Sequence, residues 1–221
     1  MPETFYQHTG KRLVDLALSL LGLVALFPVF LLISLAVFVT SGWPVFFRQV
    51  RTGRHAQPFR IWKFRTMKTL QPGNAPLLTA AGDARVTPFG RVLRATKSDE
   101  LPQLFNVISG DMSLVGPRPE VPRYTALYSG DQKLILTVRP GITGPAAAAF
   151  IAEEELLAAA EDMEHFYVST ILPAKLQTDL RYVRSISFNK DLRILAHTFI
   201  RLLFYSSQSR GVASRAPQSE V

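Results

Sequence analysis

The sequence of 221 residues contains no cysteine, and it has fewer acidic than basic side chains. The absence of cysteine excludes disulfide bonds, thiolate metal ligands and thiol nucleophiles, and it leaves the cellular compartment open. Against 25 Lys and Arg there are 17 Asp and Glu, so the formal net charge is +8. A basic surface of this kind suits anionic lipids, phosphorylated substrates or nucleic acids. The length allows one domain with a substantial hydrophobic core.

Charged residues are also absent from a long segment near the N-terminus, residues 16–40, LALSLLGLVALFPVFLLISLAVFVT. A helix needs roughly 20 apolar residues to cross the hydrocarbon core of a bilayer, so this segment is long enough. A signal peptide is not expected, because the segment is too long and no small-residue cleavage site follows it. Pro28 lies near the middle, where a proline kinks or breaks a helix.

The residues that flank this segment favour a hairpin over a simple span. Lys11 and Arg12 precede it, three arginines follow it (Arg48, Arg51 and Arg54), and Asp15 lies at its margin. Basic residues near membrane segments favour the cytoplasmic side, and a carboxylate prefers the interface to the hydrocarbon. A helix–break–helix hairpin that enters one leaflet and returns meets all these conditions. A tilted span kinked at Pro28 is the alternative that the sequence leaves open.

The remaining chain predicts an α/β fold, mostly α. The stretches PVFFRQVR and FRIWKFRTM predict two short strands joined by a turn around Gly53 to Pro58. Apolar spacing predicts one helix from Thr87 and another from Ser98 to Gly110. Two segments rich in Gly and Pro, GDMSLVGPRPEVP and VRPGITGPA, predict loops. Helices are also expected over residues 153–184, with an interruption at Pro173, and over about 191–204.

Five arginines lie in irregular or helix-end positions: Arg65, Arg85, Arg94, Arg118 and Arg139. The planar guanidinium group binds phosphate through two parallel hydrogen bonds, which makes each a candidate phosphate ligand. The alternative is that loop arginines only keep a basic protein soluble. Arg118 stands apart, because Gly116, Pro117 and Pro119 hold it in a rigid loop.

The adjacent acids Asp99 and Glu100 allow two interpretations. Ser98 can cap a helix, and acids in a first turn are favourable by about 0.3–1 kcal/mol. Alternatively, neighbouring carboxylates can share Mg²⁺, and an aspartate can attack a phosphoryl centre. The pattern alone favours the cap, and the two interpretations are compatible. The helix N-terminus is also expected to keep Asp99 ionised.

Several motifs occur together, in order, in this chain: KRLVDLALSLLGLVALFPVFLLISLAV, KFRTM, TPFGRVLRATKSDELPQLFNVISGDMSLVGPRPE and RPGITG. They resemble the bacterial sugar transferase family, the small monotopic phosphoglycosyl transferases, over roughly residues 11–205. The resemblance implies transfer of a sugar 1-phosphate from a UDP-sugar to a polyprenyl phosphate, typically undecaprenyl phosphate. It implies a covalent aspartyl intermediate, release of UMP, and the first membrane step of capsule, O-antigen, exopolysaccharide or glycoconjugate assembly.

The resemblance also implies roles for individual residues. Asp99 is the nucleophile and Glu100 the Mg²⁺ ligand. Arg94 and Arg118 hold phosphates, with Gln103 close by. Arg139, Arg65 and Arg85 remain further phosphate-binding candidates, and Pro28 marks the break of a re-entrant membrane helix. The family often has Ser-Pro at this break, whereas this chain has Phe27-Pro28.

The implied organisation is an N-terminal re-entrant helix, a catalytic domain and a disordered tail, at residues 1–42, 43–205 and 206–221. The protein is expected to contact membrane lipids on the cytoplasmic face of the bacterial inner membrane. A protein lying on that surface can form a homodimer, although no residue specifies one. A catalytically silent module that binds anionic lipid needs neither the acidic pair nor the Arg118 loop. A nucleic-acid binder leaves the apolar segment unexplained. Residues 145–175 depart from the common family pattern, so the sequence does not identify the sugar.

Overall fold

The computed structural model of the protein describes residues 5–68 and 77–213. Helices dominate these residues, and the strands are short, as the sequence predicted. The helices are α1 (Lys11–Ala25), α2 (Phe27–Ser41), α3 (Pro88–Ala95), α4 (Gln103–Ser109), α5 (Pro122–Thr125), α6 (Pro145–Ala149), α7 (Glu153–Ala158), α8 (Met163–Phe166), α9 (Leu172–Val183) and α10 (Phe188–Ala213). The strands are β1 (Phe46–Thr52), β2 (Pro58–Phe64), β3 (Ser113–Val115) and β4 (Gly141–Thr143). Single π-helical turns (Tyr6–Gly10, Tyr167–Ile171) and 3₁₀ segments (Arg54–Ala56, Ser98–Glu100, Gly130–Thr137) complete the described secondary structure.

Helices α1 and α2 form a bent pair. They meet at an angle of 62°, and Pro28 lies in the first turn of α2, where its missing N–H removes no helical hydrogen bond. No single helix in the described ranges is long and apolar enough to cross a bilayer, but this pair meets the requirement together by length and composition. The break near Pro28 is therefore confirmed as a feature of the chain.

The second helix of the pair has two different faces. Phe30, Ile33 and Val37 are buried in a cluster that also contains Phe64 of strand β2 and Leu93 of helix α3. Large apolar side chains on other faces of the pair are exposed, among them Leu21, Val24, Leu32, Leu35 and Val39. One side of the helix pair thus packs against the globular part, and the other side exposes apolar side chains.

Polar residues at the start of α1 contact the globular part of the protein. Asp15, expected at a membrane interface, is only 4% exposed and accepts hydrogen bonds from Ser113 Oγ at 2.7 Å and Leu114 N at 3.1 Å. Lys11 Nζ lies 2.5 Å from Asp191 Oδ2. Arg12 donates to the carbonyl oxygens of the last turn of α4. These three side chains are used in tertiary contacts rather than left as free flanking charges.

Strands β1 and β2 form the predicted antiparallel hairpin, with Phe46 opposite Phe64 and Thr52 opposite Pro58. Strands β3 and β4 were not predicted. They pair in parallel, Ser113 with Gly141 and Val115 with Thr143, inside the two segments expected to be loops. The pairing depends on close approach of distant backbones: a Cβ added at Gly116 would lie 2.7 Å from the Arg139 carbonyl oxygen. Local sequence patterns do not report such a contact.

The predicted helix over residues 153–184 is divided into α7, α8, a π-helical turn and α9. Asp162 caps α8 by accepting a 2.9 Å hydrogen bond from His165 N, and Pro173 lies in the first turn of α9, where a proline fits. The main core lies between α5, residues 130–137 and α9, and contains the buried rings of Tyr124 and Tyr167. Helix α10 continues to Ala213, so residues 206–213 of the expected tail are helical. Residues 214–221 lie outside the described ranges, and the domain division stays a prediction.

Candidate active site

The two acidic residues lie in a 3₁₀ turn, not at a capped α-helix start. Ser98–Glu100 forms this turn, and α4 begins only at Gln103. Lys97, which precedes the turn, has a left-handed backbone with φ 53°. Ser98 Oγ contacts Thr96 Oγ1 at 2.9 Å instead of capping the helix. The predicted Ser98 cap is therefore wrong, because the turn at Lys97 redirects the chain before α4 starts.

Both carboxylates are buried, and Glu100 makes the two shorter of their three ion pairs with described residues. Its Oε1 accepts from Lys63 Nζ at 2.7 Å and from Arg118 Nη2 at 2.7 Å. Its Oε2 accepts a longer hydrogen bond, 3.3 Å, from Arg118 Nη1. Burial by itself raises the pKa of Glu100, but the charges of Arg118 and Lys63 outweigh burial and hold that pKa well below its usual value. Glu100 is thus ionised and fixed in position.

Asp99 is in the opposite electrostatic situation. Its Oδ2 lies 3.7 Å from Lys63 Nζ, while its Oδ1 is buried without a hydrogen-bond partner among the described residues. Burial raises the pKa of Asp99, the charge of Glu100 raises it further, and Lys63 and Arg94 oppose the rise. Asp99 lies in the 3₁₀ turn ahead of α4, and its pKa shift is opposite in direction to the lowering expected from a helix N-terminus, so its ionisation stays a prediction. An unpaired buried carboxylate oxygen is costly, by about 1–3 kcal/mol or more, so its presence marks a place where a ligand atom can bind.

Arg118 and Arg94 are the two predicted arginines that the structure brings to the acidic pair. Arg118 occupies the predicted irregular loop and donates both terminal nitrogens to Glu100. Arg94, in the last turn of α3, acts electrostatically on Asp99 while its Nη2 pairs with Glu154 Oε1 at 2.5 Å.

Gln103 is another predicted site residue near the acidic pair. It lies at the start of α4 and is only 1% exposed. Its amide nitrogen and amide oxygen both lack a hydrogen-bond partner within the described part of the chain. No contact with phosphate follows from this position, so the site role of Gln103 stays a prediction.

The chain matches the family model described as "Bacterial sugar transferase" over residues 6–205. It belongs to the bacterial sugar transferase family. The match covers nearly all of the described fold, including α1, α2 and the acidic pair.

Several characterised or named proteins are similar to this chain. A UDP-glucose:undecaprenyl-phosphate glucose-1-phosphate transferase of Klebsiella pneumoniae is 39% identical over 196 residues, which is 86% of this chain and 39% of the relative. A protein of the same name from Caulobacter vibrioides is 39% identical over 197 residues, 87% of this chain and 69% of the relative. A UDP-N-acetylgalactosamine-undecaprenyl-phosphate N-acetylgalactosaminephosphotransferase of Aeromonas hydrophila is 32% identical over 206 residues. The chain spans less than half the length of the Klebsiella and Aeromonas relatives.

The other three predicted arginines of this sugar transferase make hydrogen bonds elsewhere. Arg65 donates to the carbonyl oxygens that end α2, those of Ser41, Gly42 and Trp43. Arg85 pairs with Asp83, and Arg139 Nε donates to the Gly110 carbonyl oxygen at 2.8 Å. These contacts hold chain segments together, so the phosphate-binding role of the three arginines stays a prediction.

A cavity of the sugar transferase is lined by Arg94 and Lys97. It measures about 380 Å³ and lies between residues 80–86, α3 and the start of α7. Its lining contains both cations and carboxylates: Asp83, Arg91, Arg94, Lys97, Glu154 and Glu155. Arg94 and Lys97 also act electrostatically on Asp99, which connects the cavity to the acidic pair. Such a lining suits a molecule that combines phosphate with hydroxyl groups.

Sequence analysis missed Lys63, the only lysine among the described residues that pairs with both acids. The signal in the sequence was its position in the KFRTM motif. In the structure the next residue of that motif, Phe64, is only 1% exposed. It also missed Glu120, Lys175 and Asp179, three buried charged residues behind the Arg118 loop. The signal for the last two was their spacing of four residues on a helix, on the face that carries the buried Leu172 and Leu176.

Proposed function

We propose that this protein transfers a sugar 1-phosphate from a UDP-sugar to undecaprenyl phosphate through a covalent intermediate on Asp99. An oxygen of the Asp99 carboxylate attacks the phosphorus that carries the sugar. The bond from that phosphorus to the bridging oxygen breaks, and UMP leaves with this oxygen. A phosphate oxygen of the polyprenyl acceptor then attacks the same phosphorus, which releases the carboxylate and forms polyprenyl-diphosphate-sugar.

The observation that carries this proposal is the asymmetry of the acidic pair. Glu100 is held by two cations, whereas Asp99 Oδ1 is buried and accepts no hydrogen bond from a described residue. A nucleophile needs an oxygen with free lone pairs, and burial leaves that oxygen poorly solvated. The names of the relatives support the overall reaction, but they differ in the sugar, so the sugar is left unassigned.

Positive groups around Asp99 are placed to hold a diphosphate. Lys63 lies between both acids, and Arg118 presents its guanidinium group beside them. Arg94 can exchange its ion pair with Glu154 for a phosphate in the 380 Å³ cavity that both residues line. We infer that the cavity receives the sugar-phosphate half of the donor, because its carboxylates can accept hydrogen bonds from sugar hydroxyls. The unpaired amide of Gln103 adds a further donor and acceptor.

The residues present fit Mg²⁺. This ion takes one or two carboxylates and completes its coordination with water and substrate phosphate. Asp99 Oδ1 accepts no hydrogen bond from a described residue and Glu100 Oε2 only one, so Glu100, with Asp99 beside it, would hold the ion. Bound there, Mg²⁺ would neutralise charge on the diphosphate. Arg118 and Lys63 keep the Glu100 carboxylate ionised and oriented for that role.

We further propose that the protein lies on the cytoplasmic face of the bacterial inner membrane with α1 and α2 as a re-entrant hairpin. The exposed apolar faces of the pair and its 62° bend support this placement. The acceptor phosphate lies at the membrane surface, so a hairpin in one leaflet keeps the acidic pair at the same level. Single cysteines at Phe5 and Gln57, in a chain that has none, test the topology in intact cells. Labelling of the two positions from opposite sides contradicts the hairpin.

The activity is tested with the full chain in detergent or nanodiscs, a panel of UDP-sugars, undecaprenyl phosphate and Mg²⁺. UMP release with at least one donor is expected. Without acceptor, mass spectrometry of that reaction should find one phosphosugar on the peptide that contains Asp99. A wild-type protein inert with every donor contradicts the enzyme and favours a silent lipid-binding module. Full turnover by Asp99→Asn contradicts the nucleophile assignment.

A further inference from the structure

Helix α9 presents two buried charged side chains toward the Arg118 loop. Lys175 and Asp179 are four residues apart and therefore lie on one face of the helix. Each is only 4% exposed. Burying a charge is costly unless it is paired and hydrogen-bonded, so the partners of these two residues define what the helix holds.

Lys175 binds the residue at the far end of the loop. Its Nζ donates to Glu120 Oε1 at 2.8 Å, to the Tyr167 hydroxyl at 3.1 Å and to Glu153 Oε2 at 3.2 Å. The Tyr167 hydroxyl in turn donates to Glu120 Oε1 at 2.7 Å. Burial by itself raises the pKa of Glu120, but Lys175 and Arg51 outweigh it and hold that pKa at about 2. The Glu120 carboxylate is therefore fixed as an anion, two residues from Arg118.

Asp179 lies beside the Arg118 loop. Its carboxylate accepts a hydrogen bond from Ala146 N at 3.3 Å, at the start of α6. The backbone N–H of Arg118 lowers the pKa of the same carboxyl group, which indicates that the two groups are close. One helix thus pairs with residue 120 through Lys175 and faces residue 118 through Asp179.

Strand β1 holds the loop from its other side. Thr52 N donates to the Glu120 carbonyl oxygen at 2.9 Å, and Arg51 Nη1 donates to the Pro119 carbonyl oxygen at 3.2 Å. The residues that follow Arg118 are thus held from two sides, and the Arg118 side chain extends to Glu100. A buried ion pair is a weak source of stability compared with apolar packing, so the value of Lys175 and Glu120 lies in the geometry that they impose.

We propose that Lys175 and Asp179 are positioning residues that set the Arg118 guanidinium group for the donor diphosphate. This inference rests on the proposed function, because Arg118 acts on phosphate only if the donor is a nucleoside-diphosphate sugar. The inference gives a role to helix α9 and to the end of residues 145–175, the segment that departs from the common family pattern. A displacement of about 1 Å at such a group is enough to cost on the order of 100-fold in rate.

The test is a double-mutant cycle on kcat/KM for the donor. The paired variant Glu120→Gln/Lys175→Met removes both members of the central ion pair at similar volume, and the outer charged partners Arg51 and Glu153 each lose a contact. It should lower kcat/KM about 10–100-fold in the wild-type background and less than about threefold when Arg118 is already Lys. Asp179→Ala should behave in the same way, and Asp179→Asn should retain the rate, since its amide oxygen still accepts from Ala146 N and stays beside the Arg118 backbone. The control is Arg181→Met, an exposed cation on the same helix.

A second measurement does not depend on activity. Hydrogen–deuterium exchange should be faster at residues 116–121 in Asp179→Ala and in the paired variant, and unchanged in β2. Equal losses of kcat/KM in both Arg118 backgrounds overturn the positioning role while the proposed function stands. If wild-type protein is inert with every donor, the proposed function fails separately. Unchanged exchange at residues 116–121 shows, independently of activity, that Lys175 and Asp179 do not hold the Arg118 loop, and it overturns the inference.

Discussion

The carboxylate of Asp15 accepts a 2.7 Å hydrogen bond from the Ser113 hydroxyl and so joins the first apolar helix to strand β3. The same carboxylate accepts from Leu114 N at 3.1 Å. Strand β3 leads directly into the Arg118 loop. The orientation of the helix pair is therefore linked through one buried side chain to the loop that contacts the acidic pair.

Removal of this carboxylate should destabilise the protein. Asp15→Ala leaves the Leu114 N–H without an acceptor and the Ser113 hydroxyl with only the Val115 carbonyl oxygen at 2.9 Å, which should cost about 1–3 kcal/mol. Asp15→Asn keeps one acceptor oxygen and should cost less. Thermal unfolding in detergent, followed by tryptophan fluorescence, measures both. An Asp15→Ala protein as stable as Asp15→Asn contradicts the structural role.

Sequence patterns predicted the parts of the fold that depend on local order. The hairpin of β1 and β2, the break near Pro28 and the end of α4 at Gly110 follow from alternation, proline and glycine, which act over a few residues. The parallel pair of β3 and β4 joins segments 28 residues apart in register and needs two backbones in close contact, which no local pattern reports.

The candidate site was predicted in part for the same reason. Asp99, Glu100 and Arg118 were found because they stand in short motifs. Lys63 was missed because it reaches the acidic pair only through the fold. The Ser98 cap was a reasonable local prediction, but the left-handed backbone at Lys97 replaces it with a 3₁₀ turn. Which charged residues come together at the acidic pair therefore depends on tertiary contacts, which local sequence patterns do not show.

Neutralising the two acids should change stability in opposite directions. Asp99→Asn removes a buried carboxylate whose pKa is raised, so it should leave stability unchanged or increase it at pH 8, while UMP release falls at least about 1,000-fold. Glu100→Gln leaves the half-buried Arg118 without its counter-ion and Lys63 with Asp99 alone, and should cost about 1.5–3 kcal/mol. Thermal unfolding and UMP release on the same preparations measure both effects. A Glu100→Gln protein more stable than Asp99→Asn contradicts the assigned electrostatics.

The ion pair between Arg94 and Glu154 should compete with the donor. Glu154→Gln weakens the pair and should lower the donor KM severalfold, since Arg94 is then more available to phosphate. Arg94→Ala should raise KM and lower kcat/KM by about tenfold or more, as expected for loss of one charge-assisted contact of about 1.5–3 kcal/mol. Initial rates of UMP release at varied donor concentration give these constants.

The matched control for this pair is Glu161→Gln, an exposed carboxylate in the same C-terminal region. It changes the net charge by the same amount and should leave the donor KM within about twofold. A similar fall of KM in both variants assigns the effect to overall charge and refutes direct competition. If Glu154→Gln raises KM instead, the carboxylate contacts the donor rather than excluding it.

Asp179 should make stability depend on pH. Burial raises the pKa of Asp179 from 3.8 to about 7. The hydrogen bond from Ala146 and the charge of Lys175 act in the opposite direction, and Glu120 and Tyr128 also face this carboxyl group. The folded state therefore binds the proton more tightly than the unfolded state. This stabilisation is complete below about pH 4 and is lost as pH rises through 7, by at most about 4 kcal/mol at 1.36 kcal/mol per pH unit. Asp179→Asn does not titrate, so its melting temperature relative to wild type should increase from pH 5 to pH 8. The exposed variant Asp131→Asn is the control, and a difference for Asp179→Asn that stays constant with pH means that this carboxyl is not the titrating group.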